Sequence, residues 1–280
     1  MVTITPQRGL RQGDPLSPYL FIMALNILIR NIEMNITNKN IDGLRASRNG
    51  SVIPALAFAD DCIIFSSAKP SSTLCLKKLI DDFCLFSGQS LNTSKSSIYY
   101  APSTIKYHRR QTKSILGIKK NKTHEKYLGL PIINGRVTKN LFNSIITKMN
   151  LKLNVWYNKY LSLAGRTVLI NSTLQTIPYY AMAAFNLPIG VKHGIQKTMK
   201  HYFWNTTNSS NRKAKAPWSL ISSLKMQGGL GIKDVNTMNK AFQMKIIWKL
   251  LVDNNSLFSK VLKAKYYPHS SILNTSKKAC

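Results

Sequence analysis

Ala55-Leu56-Ala57-Phe58-Ala59-Asp60-Asp61-Cys62-Ile63-Ile64-Phe65 sets two adjacent carboxylates between two apolar runs. Strand-forming residues on both sides of a short polar pair predict a β-hairpin with Asp60 and Asp61 at its turn. Asp tolerates turn geometry well, so on spacing alone turn formation accounts for the pair. Whether the pair is a turn or a site depends on what surrounds it.

The chain has 280 residues, enough to bury a real core in one large domain or two small ones. Its 44% hydrophobic content argues against disorder. Charge is the strongest bulk signal: 40 Lys and Arg face 10 Asp and Glu, a net charge of +30. Residues 1 to 100 hold 10 basic and 7 acidic side chains, and residues 101 to 280 hold 30 and 3. A second part this basic is the footprint of a polyanion, and nucleic acid fits better than a membrane surface or a merely soluble basic face. Cys62, Cys75, Cys84 and Cys280 form no CxxC pair and have no His at metal-ligand spacing. Scattered thiols of this kind predict no zinc site, no disulfide partner and an intracellular location, the nucleus included. No secretory signal is recognisable, and the longest apolar run, Tyr19 to Ile29, is broken by Asn26 and short for a bilayer.

Upstream of the hairpin, Gly9-Leu10-Arg11-Gln12-Gly13-Asp14-Pro15-Leu16-Ser17-Pro18 packs two Gly and two Pro into a constrained loop. The helix expected to follow, Pro18 to Met34, is apolar nearly all round and so is expected to be buried. Downstream, Ser71-Ser72 would cap a helix over 73–87 with Leu74, Leu76, Ile80, Phe83 and Leu85 on its apolar side and Gly88 as its stop. Leu91 to Tyr100 reads as a turn into a strand with Lys95 at its entry, and Tyr127 to Ile132 as a short strand ending at a turn. From Thr138 the pattern turns helical. Leu141, Ile145, Ile146, Met149 and Leu153 form one stripe on a helix ending near Tyr160. Ser162 would cap a helix over 163–176 that Pro178 ends. A basic, aromatic helix over 191–204, a polar basic loop over 205–215, a flexible Gly228-Gly229-Leu230-Gly231 turn and a last helix over 236–251 complete the reading. The fold class is α+β: an antiparallel hairpin with packed helices, then a basic all-α region. The expected divisions are 1–134, 135–205 and 206–280.

The order of these segments resembles the reverse transcriptase of plant LINE-type (non-LTR) retrotransposons. The resemblance is carried by Gly9 to Phe21, Phe58-Ala59-Asp60-Asp61, Ser87 to Ser96 and Tyr127-Leu128-Gly129-Leu130-Pro131. Leu161 to Arg166, Pro178-Tyr179, Phe203-Trp204, Gly228 to Ile232 and Lys263-Ala264-Lys265-Tyr266 extend it nearly end to end. It implies a partial polymerase palm followed by a helical thumb-like region and a basic C-terminal extension, copying RNA template into DNA from a primer 3′-hydroxyl with dNTP. The resemblance implies two Mg²⁺ ions, and hard Mg²⁺ takes carboxylate oxygens. It makes Asp60 the metal-ligating catalytic carboxylate, with Asp61 beside it. Phe58 and Ala59 take the aromatic and small positions of the motif. Arg11, Gln12 and Gly13 are the positions expected to meet template and nucleotide. Lys95 matches the lysine near the triphosphate, a surface lysine being the alternative. Tyr127, Leu128 and Gly129 match the primer grip, an ordinary strand end being the alternative.

The resemblance also implies a third carboxylate on a strand before the Gly9 loop, and Met1 to Arg8 contain no Asp or Glu. Sequence alone therefore leads to the expectation of a truncated polymerase, lacking fingers and inactive by itself, with an unpaired sheet edge and exposed apolar surface. The alternatives are a non-catalytic nucleic-acid-binding remnant and a non-functional product.

Overall fold

A proline at its head and a run free of glycine carry the first helix, α1 (Ser17–Thr37), in the computed structural model. The structure describes residues 13–47, 50–118, 126–133, 137–155, 161–204 and 214–274. Two compact units divide the chain, Met1–Glu125 with Asn255–Cys280, and Lys126–Asn254. The expected helix end near Tyr160, most of the basic loop from Asn205, and Cys280 lie outside the described residues. Cys62, Cys75 and Cys84 are free thiols.

In the first unit α1 is followed by β1 (Leu44–Arg45) paired antiparallel with β2 (Val52–Ile53). Then β3 (Ala55–Phe58) pairs antiparallel with β4 (Asp61–Ile64), in the register Ala55 to Ile64 and Phe58 to Asp61. The next helix, α2 (Pro70–Ser87), starts on Pro70 rather than on the Ser71-Ser72 cap, and Gly88 at φ +70 stops it as expected. After it comes α3 (Lys106–Leu116). The core joins Leu28, Ile32, Ile41 and Leu76, with Leu25, Ile36, Ile64, Leu79, Ile80 and Phe83 packed on it. Leu74 and Leu85, expected on the apolar side of α2, are exposed instead, because Cys75 and Leu79 complete the stripe that faces α1.

The expectation that α1 is buried is overturned. Only Leu28 and Ile32 are buried on it, while Tyr19, Ile22, Met23, Ile27 and Met34 are exposed. One face of α1 packs toward α2, and no described element covers the other. At 21 residues α1 is also long and apolar enough to cross a bilayer, by length and composition only. The segment from Leu91 to Tyr100 forms the expected turn at Thr93–Lys95 but no strand follows it.

The second unit begins with β5 (Lys126–Tyr127) and β6 (Leu130–Pro131), joined through Leu128 at φ +50 and Gly129 at φ +80. This is a two-residue hairpin, where the sequence led to a lone strand; both loop residues adopt the positive φ that such tight hairpins demand. A 3₁₀ turn (Lys139–Phe142) leads into α4 (Asn143–Val155). Helix α5 (Leu163–Leu169) is capped by Ser162, whose Oγ accepts the Gly165 N–H at 3.2 Å, and a π-helical turn (Ile170–Leu174) prolongs it. Then follow α6 (Tyr179–Ala184), α7 (Ile189–Trp204), α8 (Trp218–Ile221) and α9 (Val235–Val252). Asp234 caps α9, its carboxylate accepting the Thr237 N–H at 2.9 Å. One more helix beyond the expected last one, α10 (Leu257–Tyr266), belongs to the first unit.

Val191, Ile195, Met199 and Tyr202 line the inner face of α7 and pack with Phe142, Met149, Ile170, Leu174 and Met182. The helices approach closely here: a Cβ on Gly194 would lie 2.7 Å from the Ile146 Cδ1 of α4, so a larger residue would push the end of that side chain aside. In the Gly228–Gly231 turn the N–H groups of Gly229, Leu230 and Gly231 donate to the carbonyls of Leu224, Ile221 and Ser223.

One polar side chain ties this core together. Asn239 of α9 is fully buried, accepts the Leu187 N–H at 2.9 Å and donates to the carbonyls of Met182 (3.2 Å) and Phe185 (2.9 Å). Removing it strands backbone groups in the core. Asn239→Ala is expected to cost about 2–4 kcal/mol, read as a lower urea midpoint by tryptophan fluorescence. In the first unit, Asp42 receives a 2.8 Å ion pair from Lys69, and its carbonyl accepts the Ser67 N–H. The Lys69 ammonium first, then the Ser67 side chain, hydrogen-bonds the Asp42 carboxyl and holds it below the ordinary carboxylate range. A depressed carboxylate contributes stability above its unfolded pKa of 3.8 and loses it as pH falls through the lower folded value. The acid limb of a urea-midpoint profile should therefore be shallower in Asp42→Asn than in the parent.

Candidate metal-binding hairpin

Period-2 alternation decides what the β3–β4 hairpin presents. Ala55 is buried and its partner Ile64 packs on the core, while Phe58 and Asp61 pair on the opposite, exposed face. Ala59 and Asp60 form the two-residue turn, and both are exposed. Asp61 is thus the first residue of β4, and Asp60 alone of the two acids lies in the turn. Ala59 has φ +49, a conformation that costs a residue with a Cβ about 1–2 kcal/mol. Such strain is held where a rigid hairpin over-determines the turn, and here it sits directly before Asp60.

The structure therefore brings four of the expected site residues together at one hairpin tip: Phe58, Ala59, Asp60 and Asp61. Phe58 is 63% exposed, with its ring on the face that carries Asp61. Neither acid joins an ion pair among the described residues. Their oxygens are accessible, adjacent and hard, which suits Mg²⁺, an ion bound through one or two carboxylates plus phosphate rather than by a closed protein cage. Among the described residues no cluster of three or more His, Cys, Asp or Glu side chains occurs that would make such a cage. The pair fits an open site completed by substrate oxygens.

The remaining expected residues stand apart. Gly13 precedes α1 at φ +89, and a Cβ there would meet nothing within 4 Å, so backbone conformation is what requires glycine. Arg11 and Gln12 lie outside the described residues. Beside Gly13, Asp14 orders the loop: its Oδ1 accepts the Leu16 N–H at 2.8 Å and its carbonyl accepts that of Ser17. Lys95 is exposed on a separate turn of the first unit, its N–H donating to the carbonyl and Oδ1 of Asn92, and no hydrogen bond or ion pair joins it to the hairpin among the described residues. Tyr127, Leu128 and Gly129 form the β5–β6 hairpin of the second unit.

The sequence pattern of the family described as reverse transcriptase (RNA-dependent DNA polymerase) matches residues 3–132. A putative ribonuclease H protein of Arabidopsis thaliana is 30% identical over 138 residues, 49% of this chain and 22% of that protein. An uncharacterised mitochondrial protein of Arabidopsis thaliana is 38% identical over 102 residues, 36% of this chain and 81% of that protein. A retrovirus-related Pol polyprotein from a type-2 retrotransposable element of Drosophila melanogaster is 27% identical over 272 residues, 89% of this chain. The chain spans 23% of that polyprotein's length.

The strained turn makes a prediction with opposite signs. Ala59→Gly is expected to raise the urea midpoint, by about 0.5–1 kcal/mol after the entropy of an added glycine. Ala59→Val should lower it, because a β-branched residue tolerates positive φ worst.

Proposed function

The chain belongs to the reverse transcriptases of non-LTR retrotransposon type, and on that premise we propose that its β3–β4 hairpin is the metal-binding part of a nucleotidyl-transfer centre. Reverse transcriptases use divalent metal ions, a nucleic-acid template with a primer, and dNTP. The observation that carries the proposal is the exposed Asp60–Asp61 pair at a strained, rigid hairpin tip inside the matched region. Bound Mg²⁺ supplies activation of a primer 3′-hydroxyl and charge neutralisation on the leaving pyrophosphate. What the residues themselves do is narrower. Asp60 and Asp61 present oxygens from a fixed turn, and the two-residue loop keeps them from rotating away. Phe58 offers an apolar ring beside them, and Ala59 leaves room for a sugar or base edge at the tip. Gly13 allows a backbone turn at the mouth of α1 where Arg11 and Gln12 would meet the nucleotide, and Lys95 supplies an ammonium for phosphate charge. Tyr127, Leu128 and Gly129 would hold a primer end on the second hairpin.

The helices of the second unit and the basic charge beyond residue 100 support template and duplex binding in the manner of a thumb. We propose that these 280 residues polymerise nothing by themselves: a two-metal centre needs a further carboxylate, and of ten acids Asp60 and Asp61 are the two on the hairpin. The second reading, nucleic-acid binding without chemistry, is favoured by the same net charge of +30.

Two measurements separate these statements. Mn²⁺, a paramagnetic stand-in for Mg²⁺, is expected to broaden the NMR amide signals of residues 58–62 selectively, and Asp60→Asn or Asp61→Asn should weaken that effect at least about tenfold. Uniform broadening, indifferent to both substitutions, would refute the metal-site reading. Primer extension on an RNA template should be absent, while an RNA–DNA duplex binds with an affinity that falls steeply with salt. Incorporation lost in Asp60→Asn would overturn the inactivity and leave the metal reading in place.

A further inference from the structure

Helix α3 was not foreseen from the sequence, and it has a face that the polymerase reading does not use. Between Asp82 and Glu125 the chain carries no acid, and α3 alone holds Lys106, Arg109, Arg110 and Lys113. Its inner side is committed. Thr112 is buried, donates to the Ala68 carbonyl at 3.4 Å and lies 3.5 Å from Thr73 of α2. Arg109 is turned back on its own chain: it donates to the carbonyls of Thr104 (2.9 Å), Ala101 (3.0 Å) and Pro102 (3.0 Å) and lies over the Tyr100 ring. Tyr100 in turn donates to the Arg109 carbonyl at 3.1 Å. One cation is thus spent on fixing the approach to the helix.

The outer side is different. Lys106 and Arg110 are exposed one turn apart, and neither forms an ion pair among the described residues. Between them Tyr107 is 61% exposed, yet its ring is not loose. Gln111, one turn on, donates its Nε2 to the Tyr107 hydroxyl at 2.8 Å, and the His108 ring meets it edge-on at 5.7 Å. An exposed aromatic ring held by two neighbours, with Lys106 and Arg110 one turn apart along the same side of it, is a stacking platform beside a phosphate-binding strip.

We propose that the outer face of α3 binds single-stranded nucleic acid, with a base stacked on Tyr107 and flanking phosphates on Lys106 and Arg110. The occupant is argued from charge complementarity and from the ring. A phosphate chain matches cations spaced one helical turn apart, and only a strand with unpaired bases gives Tyr107 a partner. A stacked ring and two phosphate-binding cations act alike on ribose and deoxyribose strands, so RNA and DNA share the chemistry. The inference goes beyond the hairpin site and does not depend on it: it stands or falls whatever Asp60 and Asp61 hold.

The test uses the full chain and fluorescein-labelled RNA and DNA 12-mers of one sequence, with the corresponding duplex and polyglutamate as comparisons. Tyr107→Ala is expected to weaken binding of the single strands by about 5-fold or more, to leave the duplex and polyglutamate unchanged, and to be rescued by Tyr107→Phe. The double variant Lys106→Gln/Arg110→Gln should lower the salt slope for single strands by about 1.4, the share of two phosphates. In the unsubstituted chain, photocross-linking of a 4-thiouridine RNA should label the tryptic peptide containing Tyr107, a readout that needs no variant to fold. No cross-link at that peptide, or a Tyr107→Ala loss equal for single strand, duplex and polyglutamate, overturns the proposal.

Discussion

The register of the β3–β4 hairpin is the constraint on which the first unit depends. Pairing Ala55 with Ile64 and Phe58 with Asp61 leaves two residues for the turn and decides which face meets the core. A slip of one residue would carry Asp61 to the buried side and Ala55 to solvent. The cost of holding register is visible in Ala59, which accepts a positive φ so that the loop can close in two residues. Burial of Ala55 and packing of Ile64 against the α1–α2 core offset that strain. The exposed carboxylates are therefore placed by apolar residues several positions away. Core and site are one argument here.

The second unit is organised by a different device. Its helices meet through apolar stripes, but stripes alone leave helices free to slide, and α9 has no sharply apolar face of its own. Asn239 supplies what the stripes do not. By bonding Met182, Phe185 and Leu187 at once it satisfies the carbonyls at the end of α6 and an N–H at the approach to α7. A fully satisfied buried amide fixes one register among several that apolar contacts would permit. Gln243, one turn on, donates to the same Met182 carbonyl at 2.8 Å and reinforces it.

Much of this was legible in the sequence, and where it was not the reasons are physical. The hairpin and its acids were readable because alternation and turn chemistry are both local. The Ile145, Met149 and Leu153 stripe of α4, the Ser162 cap and the Gly88 stop were readable for the same reason. The burial of α1 was misread because a helix apolar all round says what it tolerates, not what covers it, and cover is a tertiary fact. Helix α3 is hard to find in the sequence because Lys106, Arg109, Arg110, Gln111 and Lys113 make it polar overall, so its two-sided pattern carries few apolar residues to mark it. Its stability comes from Arg109 and Thr112 bonding to loops outside the helix, which no periodicity records. The β5–β6 hairpin was missed because Leu128 at positive φ is not a residue that turn rules select.

The charge of the chain sets the last condition on any site it carries. A net +30 repels cations at long range, yet the hairpin reading asks two carboxylates to hold one. The conflict is one of distance. At physiological ionic strength repulsion between exposed charges fades beyond about 8 Å, whereas two adjacent carboxylates act on a contacting ion at a few ångström. Among the described residues no lysine or arginine is paired with Asp60 or Asp61, so no cation has to be displaced from their oxygens. Phosphates drawn to the basic surface would cancel the surrounding field further. A polyanion and a hard cation then favour each other's binding: the strand lowers the repulsion that the metal meets, and the metal adds charge that the strand can use. On the proposed reading, a bound polyanion and a bound metal ion would each offset charge that the other meets.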